Sequence, residues 1–341
     1  MQRYINAQRE LSIQIDITNA CNLRCKHCYH SHHDNEGALT FEGWMGVLDR
    51  YEDLLTKLRL KPRIFICGGE PLLSPSLRPL IENLNSRFPR VPISILTNGT
   101  LVRVDLAHYL ATFNLNVQVS LDGPDAERHD AVRGKGSFQR AIKGIRTLKE
   151  AGISVRSLAV LSAKTAPWVD EFFALAASEN LHSMNFTRFI PQGNGAALAA
   201  SGADRMLNPD ELRKAYQDIA CRSTLHGVNT VKSSPLYHLI EGEEGGHAKF
   251  GHQGLVVDYK GRLKVSSRSD YILGDVLKDG LEDLFLNHPV MKSLRNGEID
   301  TCGTCPFYAR CGGDRNVAYA VHGSFFAPDP QCWILTKTRP H

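Results

Sequence analysis

Ser12-Ile13-Gln14-Ile15-Asp16-Ile17-Thr18-Asn19-Ala20-Cys21-Asn22-Leu23-Arg24-Cys25-Lys26-His27-Cys28-Tyr29 runs a strand straight into a cluster of thiols. From Ser12 to Thr18 polar and apolar side chains alternate, which is the period of a β-strand. The loop after it carries Cys21, Cys25 and Cys28 at CxxxCxxC spacing. Three thiolates this close together can hold three corners of an iron–sulfur cube. The fourth iron is then left without a protein ligand and stays open to a substrate or cofactor. A cube that only carries electrons normally has four thiolates. Zinc competes for this reading, with His27 or His30 as its fourth ligand, and so do plain buried thiols. A second β-rich run, Ile64-Phe65-Ile66-Cys67, ends at Gly68-Gly69-Glu70-Pro71. Two glycines let a backbone approach a ligand closely, and the Glu70 carboxylate beside them can hold an ammonium group.

In these motifs the chain resembles the radical S-adenosylmethionine (SAM) superfamily, over roughly residues 11–195. The family signature is CxxxCxΦC with Φ aromatic, here His27, followed by a GGEP motif after the second strand. Further matching pieces are Leu96-Thr97-Asn98-Gly99-Thr100, Val119-Ser120-Leu121-Asp122-Gly123 and Arg133-Gly134-Lys135-Gly136-Ser137-Phe138. The resemblance implies a [4Fe–4S] cluster on Cys21, Cys25 and Cys28 whose open iron chelates the amino and carboxylate groups of SAM. It implies that Gly68, Gly69 and Glu70 receive the SAM amino group and that Asn98 and Ser120 contact its ribose and methionine ends. Arg133 would pair with the SAM carboxylate, a task that suits a bidentate guanidinium. Turn formation or capping is the plain alternative for Asn98 and Ser120, and a surface ion pair for Arg133. Ile190-Pro191-Gln192-Gly193-Asn194-Gly195 resembles the last barrel loop, which packs near the adenine in relatives.

Strand-like runs recur near Ile13–Ile17, Arg63–Cys67, Ile93–Thr97, Val117–Leu121, Val155–Leu161 and Met184–Phe189. Helical patterns separate them, around Phe41–Leu58, Leu77–Phe88, Val104–Phe113, Phe138–Ala151 and Pro167–Asn180. Such alternation predicts a parallel sheet with right-handed crossovers. The fold class is α/β, and six βα units fit the partial (β/α)6, TIM-like barrel of the superfamily. Every motif lies just after a predicted strand, so all converge on one mouth. Residues 1–200 are read as the barrel. Gly193–Ala203 is Gly/Ala-rich and reads as a loop or boundary. Residues 201–341 are read as a small α+β domain, with a helix around Pro209–Leu225 capped by Asn208. In it, Lys260-Gly261 turns a hairpin between Leu255–Tyr259 and Arg262–Val265.

That second part ends in Cys302, Cys305, Cys311 and Cys332. By spacing alone this closed four-thiolate site suits zinc or an iron–sulfur cluster. Cys311-Gly312-Gly313-Asp314-Arg315 and Ala327-Pro328-Asp329-Pro330-Gln331-Cys332 are similar to the ending of the SPASM extension of radical SAM maturases. The complete extension carries two auxiliary clusters. Here Ser266-Ser267 stands where a cysteine follows the family's hairpin, Phe250-Gly251-His252 contains none, and Asp314 or Arg315 replaces the one after Cys311. The missing positions are ligands of the inner cluster. The resemblance therefore implies one auxiliary [4Fe–4S] cluster, on the four that remain, of the SPASM/twitch-like kind.

Composition sets the wider limits. With 42% hydrophobic and 22% charged residues over 341, the chain reads as an ordinary globular protein of one large or two ordinary domains. Its net charge is +4 with no Lys/Arg block, so nucleic acid is not an expected partner. No apolar run of about 18 residues suggests a membrane span, and Met1-Gln2-Arg3-Tyr4 lacks the apolar core of a signal peptide. Nine cysteines, seven of them in two groups, suit metal binding in a reducing cytoplasm better than disulfides.

The resemblance implies reductive cleavage of SAM to a 5′-deoxyadenosyl radical that abstracts a substrate hydrogen atom. An electron would come from a reductant such as flavodoxin or ferredoxin. The auxiliary cluster would accept an electron from the substrate radical, relay one, or staple the fold. Cys67 and Cys221 are candidates to return a hydrogen atom, as in radical epimerases, against the plain role of small buried hydrophobes. His30, His32 and His33 line the mouth or sit in a solvated loop. Most SPASM-bearing relatives modify ribosomal peptides, so oxidative maturation of a peptide is the leading expectation. The predicted barrel begins within about twelve residues of Met1, so peptide recognition would need a separate protein or direct docking. A dehydrogenase or epimerase acting on a sugar or aminocyclitol, or a tetrapyrrole side-chain enzyme, is the small-molecule alternative. A non-catalytic electron carrier or zinc-stabilised binding protein is the third.

Overall fold

A computed structural model describes residues 10–232, 234–241 and 250–335. Its strands are β1 (Glu10–Asp16), β2 (Lys61–Cys67), β3 (Ile93–Thr97), β4 (Leu115–Ser120), β5 (Ser154–Leu161), β6 (Ser183–Arg188), β7 (Gly254–Val257), β8 (Arg262–Lys264) and β9 (Ile272–Asp275). They form one sheet in the order β6-β5-β4-β3-β2-β1-β7-β8-β9. Every pairing from β6 through β1 to β7 is parallel, whereas β7, β8 and β9 pair antiparallel. The predicted hairpin thus joins the sheet along the edge that β1 would otherwise leave open.

Between the strands lie α1 (Phe41–Leu58), α2 (Leu77–Arg87), α3 (Val104–Leu110), α4 (Ala126–Arg133), α5 (Ser137–Glu150), α6 (Val169–Ser178), α7 (Asn194–Ala200) and α8 (Pro209–His226). After β9 come α9 (Leu281–Leu286), α10 (Pro289–Asn296) and α11 (Arg315–His322). The first helix shows why these segments fold as they do. Thr40 accepts from the Gly43 N–H at its N-terminus, and the chain leaves through Arg59 at φ 55°. Trp44, Val47, Leu48, Tyr51, Leu54 and Leu55 fall on one face and are buried. Each aliphatic side chain so covered stabilises the fold by about 1.5–3 kcal/mol.

The sheet is two-faced. Ile13, Ile15, Ile66, Ile95, Val119 and Ala159 face the helices and are essentially inaccessible. Their neighbours along each strand face inward and are mostly polar: Gln14 and Asp16 on β1, Gln118 on β4, Arg156 on β5, Asn185 and Thr187 on β6. The curved sheet is drawn together across its open side. Arg268, in the loop after β8, donates Nη1 to Thr187 Oγ1 on β6 at 2.7 Å. Arg188 at the end of β6 donates to Asp329 in the C-terminal segment at 2.8 Å.

One expectation fails at the boundary. Gly193–Ala203 contains the helix Asn194–Ala200. Ala196, Ala197, Ala199 and Ala200 lose no side-chain entropy in a helix, so their propensity outweighs the loop signal of the flanking glycines.

Candidate active site

The cysteine loop is anchored by an extension of the β1–β2 pairing. Ile17 N donates to Cys67 O, Gly69 N to Thr18 O and Glu70 N to Ala20 O, at 3.1, 2.7 and 2.8 Å. A Cβ on Gly68, at φ +129°, would lie 2.2 Å from Thr18 O, and one on Gly69 would lie 2.3 Å from Ala20 O. The close approach these glycines allow is to the start of the cysteine loop.

Glu70 is likewise engaged by the protein itself. Its carboxylate is fully buried and accepts from Thr97 Oγ1 at 2.6 Å, Asn98 N at 2.8 Å and Leu72 N at 3.1 Å. Burial pushes the carboxyl up against those bonds. With both oxygens engaged, Glu70 ties the Gly-Gly-Glu-Pro segment to the end of β3. Asn98 in turn donates to Asn22 Oδ1 at 2.9 Å, lies 4.0 Å from Cys21 Sγ and accepts from Thr100, so it braces the cysteine loop. Ser120 ends β4 on the inner face, in register with Leu158.

Arg133 is not on the surface. Its Nε binds the buried Asp122 carboxylate, and its Nη1 lies 3.9 Å from Cys25 Sγ. His27 Nε2 meets the same Asp122 oxygen at 2.7 Å. Burial opposes charge on Asp122, but the Arg133 guanidinium and His27 hold its carboxyl well below the usual range. No local pattern marks Asp122 as functional, because its partners are brought in from the cysteine loop and α4. One ring nitrogen of His27 is thus occupied by a carboxylate. His30 bonds Asn19 Oδ1 at 2.6 Å, and burial drops its ring to about 3. His32 is exposed beside Asp34.

The sulfurs themselves are hydrogen-bonded. Leu23 N donates to Cys21 Sγ at 3.4 Å. Burial pushes the Cys25 thiol up to about 11, so it is a thiolate only when something cationic binds it. N–H donors aimed at sulfur suit thiolates that ligate a cluster. Cys67 lies on the inner face opposite Asp16, and burial raises its thiol. Cys221 is a correction. It is exposed on α8, on the side away from Leu212, Ala215, Tyr216 and Ile219, and does not face the mouth.

Cys302, Cys305, Cys311 and Cys332 line a single apolar cavity with Leu236, Phe307 and Ile334. Gly313 N donates to Cys311 Sγ at 3.4 Å, and Arg315 Nη2 lies 3.8 Å from Cys302 Sγ. Among the described residues no three His, Cys, Asp or Glu side chains converge tightly enough for one metal ion. A cube holds its thiolates farther apart than a single ion does. Asp314 caps α11 through the N–H groups of Asn316 and Val317 and is not offered as a ligand. Phe250, His252, Gly312 and Arg315, from segments where the extension would carry inner-cluster cysteines, line one neighbouring cavity.

Residues 15–164 match the family model of the radical SAM superfamily. Mycofactocin maturase MftC of Mycobacterium tuberculosis is 28% identical over 332 residues, spanning 93% of this chain and 81% of that one. The chain carries a radical SAM domain. An AdoMet-dependent heme synthase of Oleidesulfovibrio alaskensis is 23% identical, over 95% of this chain and 87% of its own. The fold matches that of Streptococcus suis SuiB bound to its precursor peptide SuiA, with TM-score 0.75 at 15% identity, covering 96% and 77% of the two chains. It also matches anSMEcpe with bound AdoMet and a peptide, with TM-score 0.74 at 18% identity, covering 96% and 95%. A [4Fe–4S] cluster and SAM are the cofactors of this superfamily, and the radical SAM fold puts β1, β2 and β3 around the cysteine loop. No helix among the described residues is long and apolar enough to cross a membrane.

Proposed function

We propose that this radical SAM enzyme oxidatively modifies a peptide, with one cluster on Cys21, Cys25 and Cys28 and a second on Cys302, Cys305, Cys311 and Cys332. The observation that carries it is the donor chemistry at the two cysteine sites: the Leu23 N–H donates to Cys21 in one, and the Gly313 N–H to Cys311 in the other. When bound, the cluster and SAM supply the one-electron chemistry that opens an unactivated C–H bond. The chain's residues position and enclose. Glu70 and Asn98 brace the cysteine loop, and Arg133 sets a cation beside Cys25. The inner face of the sheet offers the polar wall against which a substrate lies. The four-thiolate site, fully ligated, suits electron transfer from the substrate better than direct substrate binding. The peptide reading draws support from the maturase relative MftC and from the peptide complexes among the solved neighbours. The heme synthase relatives favour a second reading, a tetrapyrrole side-chain enzyme.

Iron counting and SAM cleavage test the cluster assignment. Reconstituted wild type should hold about eight irons per chain and form 5′-deoxyadenosine under dithionite. The variant with Cys21, Cys25 and Cys28 all changed to Ala should hold about four irons and form none. SAM cleavage retained in that variant would refute the assignment.

A further inference from the structure

Beside the cysteine loop, cationic side chains gather on the inner face of the sheet. Arg156 on β5 stands in register with Gln118 of β4 and Ser183 of β6. Its strand neighbours Val155 and Ser157 are buried on the helix-facing side, so Arg156 faces inward. The Arg156 Nε is buried and has no hydrogen-bond partner. Register extends this layer: Gln118 pairs with Leu96, and Cys67 pairs with Asp16 at the far side. Arg268 reaches the same face from the loop after β8, where it bonds Thr187, four residues along β6 from Ser183. That partner is a neutral hydroxyl, and among the described residues neither Arg156 nor Arg268 is in an ion pair. Lys264 on β8 is in register with Val256, which pairs with Gln14, and so shares the face. Two acids oppose these cations. Asp258 is held by Arg262 at 2.6 Å. Asp16 accepts from Gln14 at 2.8 Å and lies near Lys264.

Arg156, Arg268 and Lys264 therefore outnumber the one acid left to them. A buried guanidinium nitrogen without an acceptor is costly, and an incoming anion relieves that cost. We propose that the inner face of the sheet is a carboxylate-binding site, in which Arg156 and Arg268, assisted by Lys264, hold a carboxylate group of the substrate. The planar guanidinium forks match a carboxylate better than an ammonium does. This assignment rests on the reading of that face as the substrate wall, and it narrows the substrate to molecules carrying a free acid. For a peptide the group is a C-terminal or side-chain carboxylate, and for a small molecule it is an organic acid.

The test uses reconstituted holoenzyme with SAM and an N-terminally fluorescein-labelled pentaalanine, as free acid and as C-terminal amide, read by anisotropy. The acid should bind about tenfold tighter than the amide, as expected for one charge-assisted contact. Arg156→Gln should abolish that preference, and Arg156→Lys should restore only part of it. Unlabelled pentaalanine acid that displaces the probe better than glutarate places the site with peptides; the reverse order places it with small acids. Equal binding of acid and amide, no binding of either up to millimolar concentration, or a preference that survives Arg156→Gln together with Arg268→Gln overturns the proposal. 5′-Deoxyadenosine formation by the same wild-type preparation separates the two failures. If it forms but no acid preference is seen, this inference alone falls; if none forms, the parent reading falls with it.

Discussion

Asp16 shows how a single residue records its place in the fold. It ends β1 on the inner face, is almost fully buried, and burial pushes its carboxyl up to about 6 despite Lys264 nearby. A folded-state pKa above the unfolded one means that the uncharged acid suits the native state. The contribution is then complete below the unfolded pKa, near 4, and is lost as pH rises through about 6. Asp16→Asn, which cannot ionise, should gain about 3 kcal/mol relative to wild type between pH 4 and pH 8. Anaerobic urea unfolding at the two pH values measures this, and a pH-independent difference would show that burial does not control the charge. The alternation Ser12–Thr18 placed Asp16 opposite the apolar residues but said nothing of its surroundings. The same holds for Asp122, whose partners Arg133 and His27 come from distant positions in the chain. Cysteine spacing, by contrast, is a local property and was readable residue by residue.

At the scale of elements, local chemistry decides most boundaries. Helix α8 begins at a complete capping box: Asn208 accepts from Glu211 N and Glu211 accepts from Asn208 N, with Pro209 at the first position. It ends at Gly227 in the left-handed region. Asn208→Ala should cost about 1 kcal/mol, seen as a lowered thermal midpoint with unchanged iron content. Loss of iron on this substitution would mean that the helix end supports a cluster site. Because such signals lie within a few residues, the helix at Phe41–Leu58 and the strand at Ile93–Thr97 appear where the periodicity puts them. The helix inside Gly193–Ala203 was hidden because glycine flanks and alanine propensity give opposite local signals. The glycines of Gly68-Gly69 were legible as a tight approach, but not what they approach, since Thr18 and Ala20 are brought there by strand pairing.

At the scale of the whole molecule, the C-terminal cysteines form a site apart from the cysteine loop after β1. Cys302→Ser or Cys332→Ser should lose the auxiliary cluster and abolish product, while some uncoupled SAM cleavage persists. Mass spectrometry of the wild-type product gives the redox outcome. Oxidation should yield a product lighter by a pair of hydrogen atoms. Incorporation of one deuterium from D2O without loss of mass would instead indicate epimerisation, with Cys67 the inward-facing thiol able to donate. By itself, the sequence determined the alternation of strands and helices, the partial barrel, and the two groups of cysteines, because periodicity and ligand spacing are written within short windows. Only the tertiary structure decided which side chains share a face and who partners whom. It turned Glu70 into a brace, carried Cys221 to the outside, and joined β8's loop to β6 through Arg268 and Thr187. Those outcomes depend on sheet curvature and on contacts between residues far apart in the chain, which no local pattern encodes.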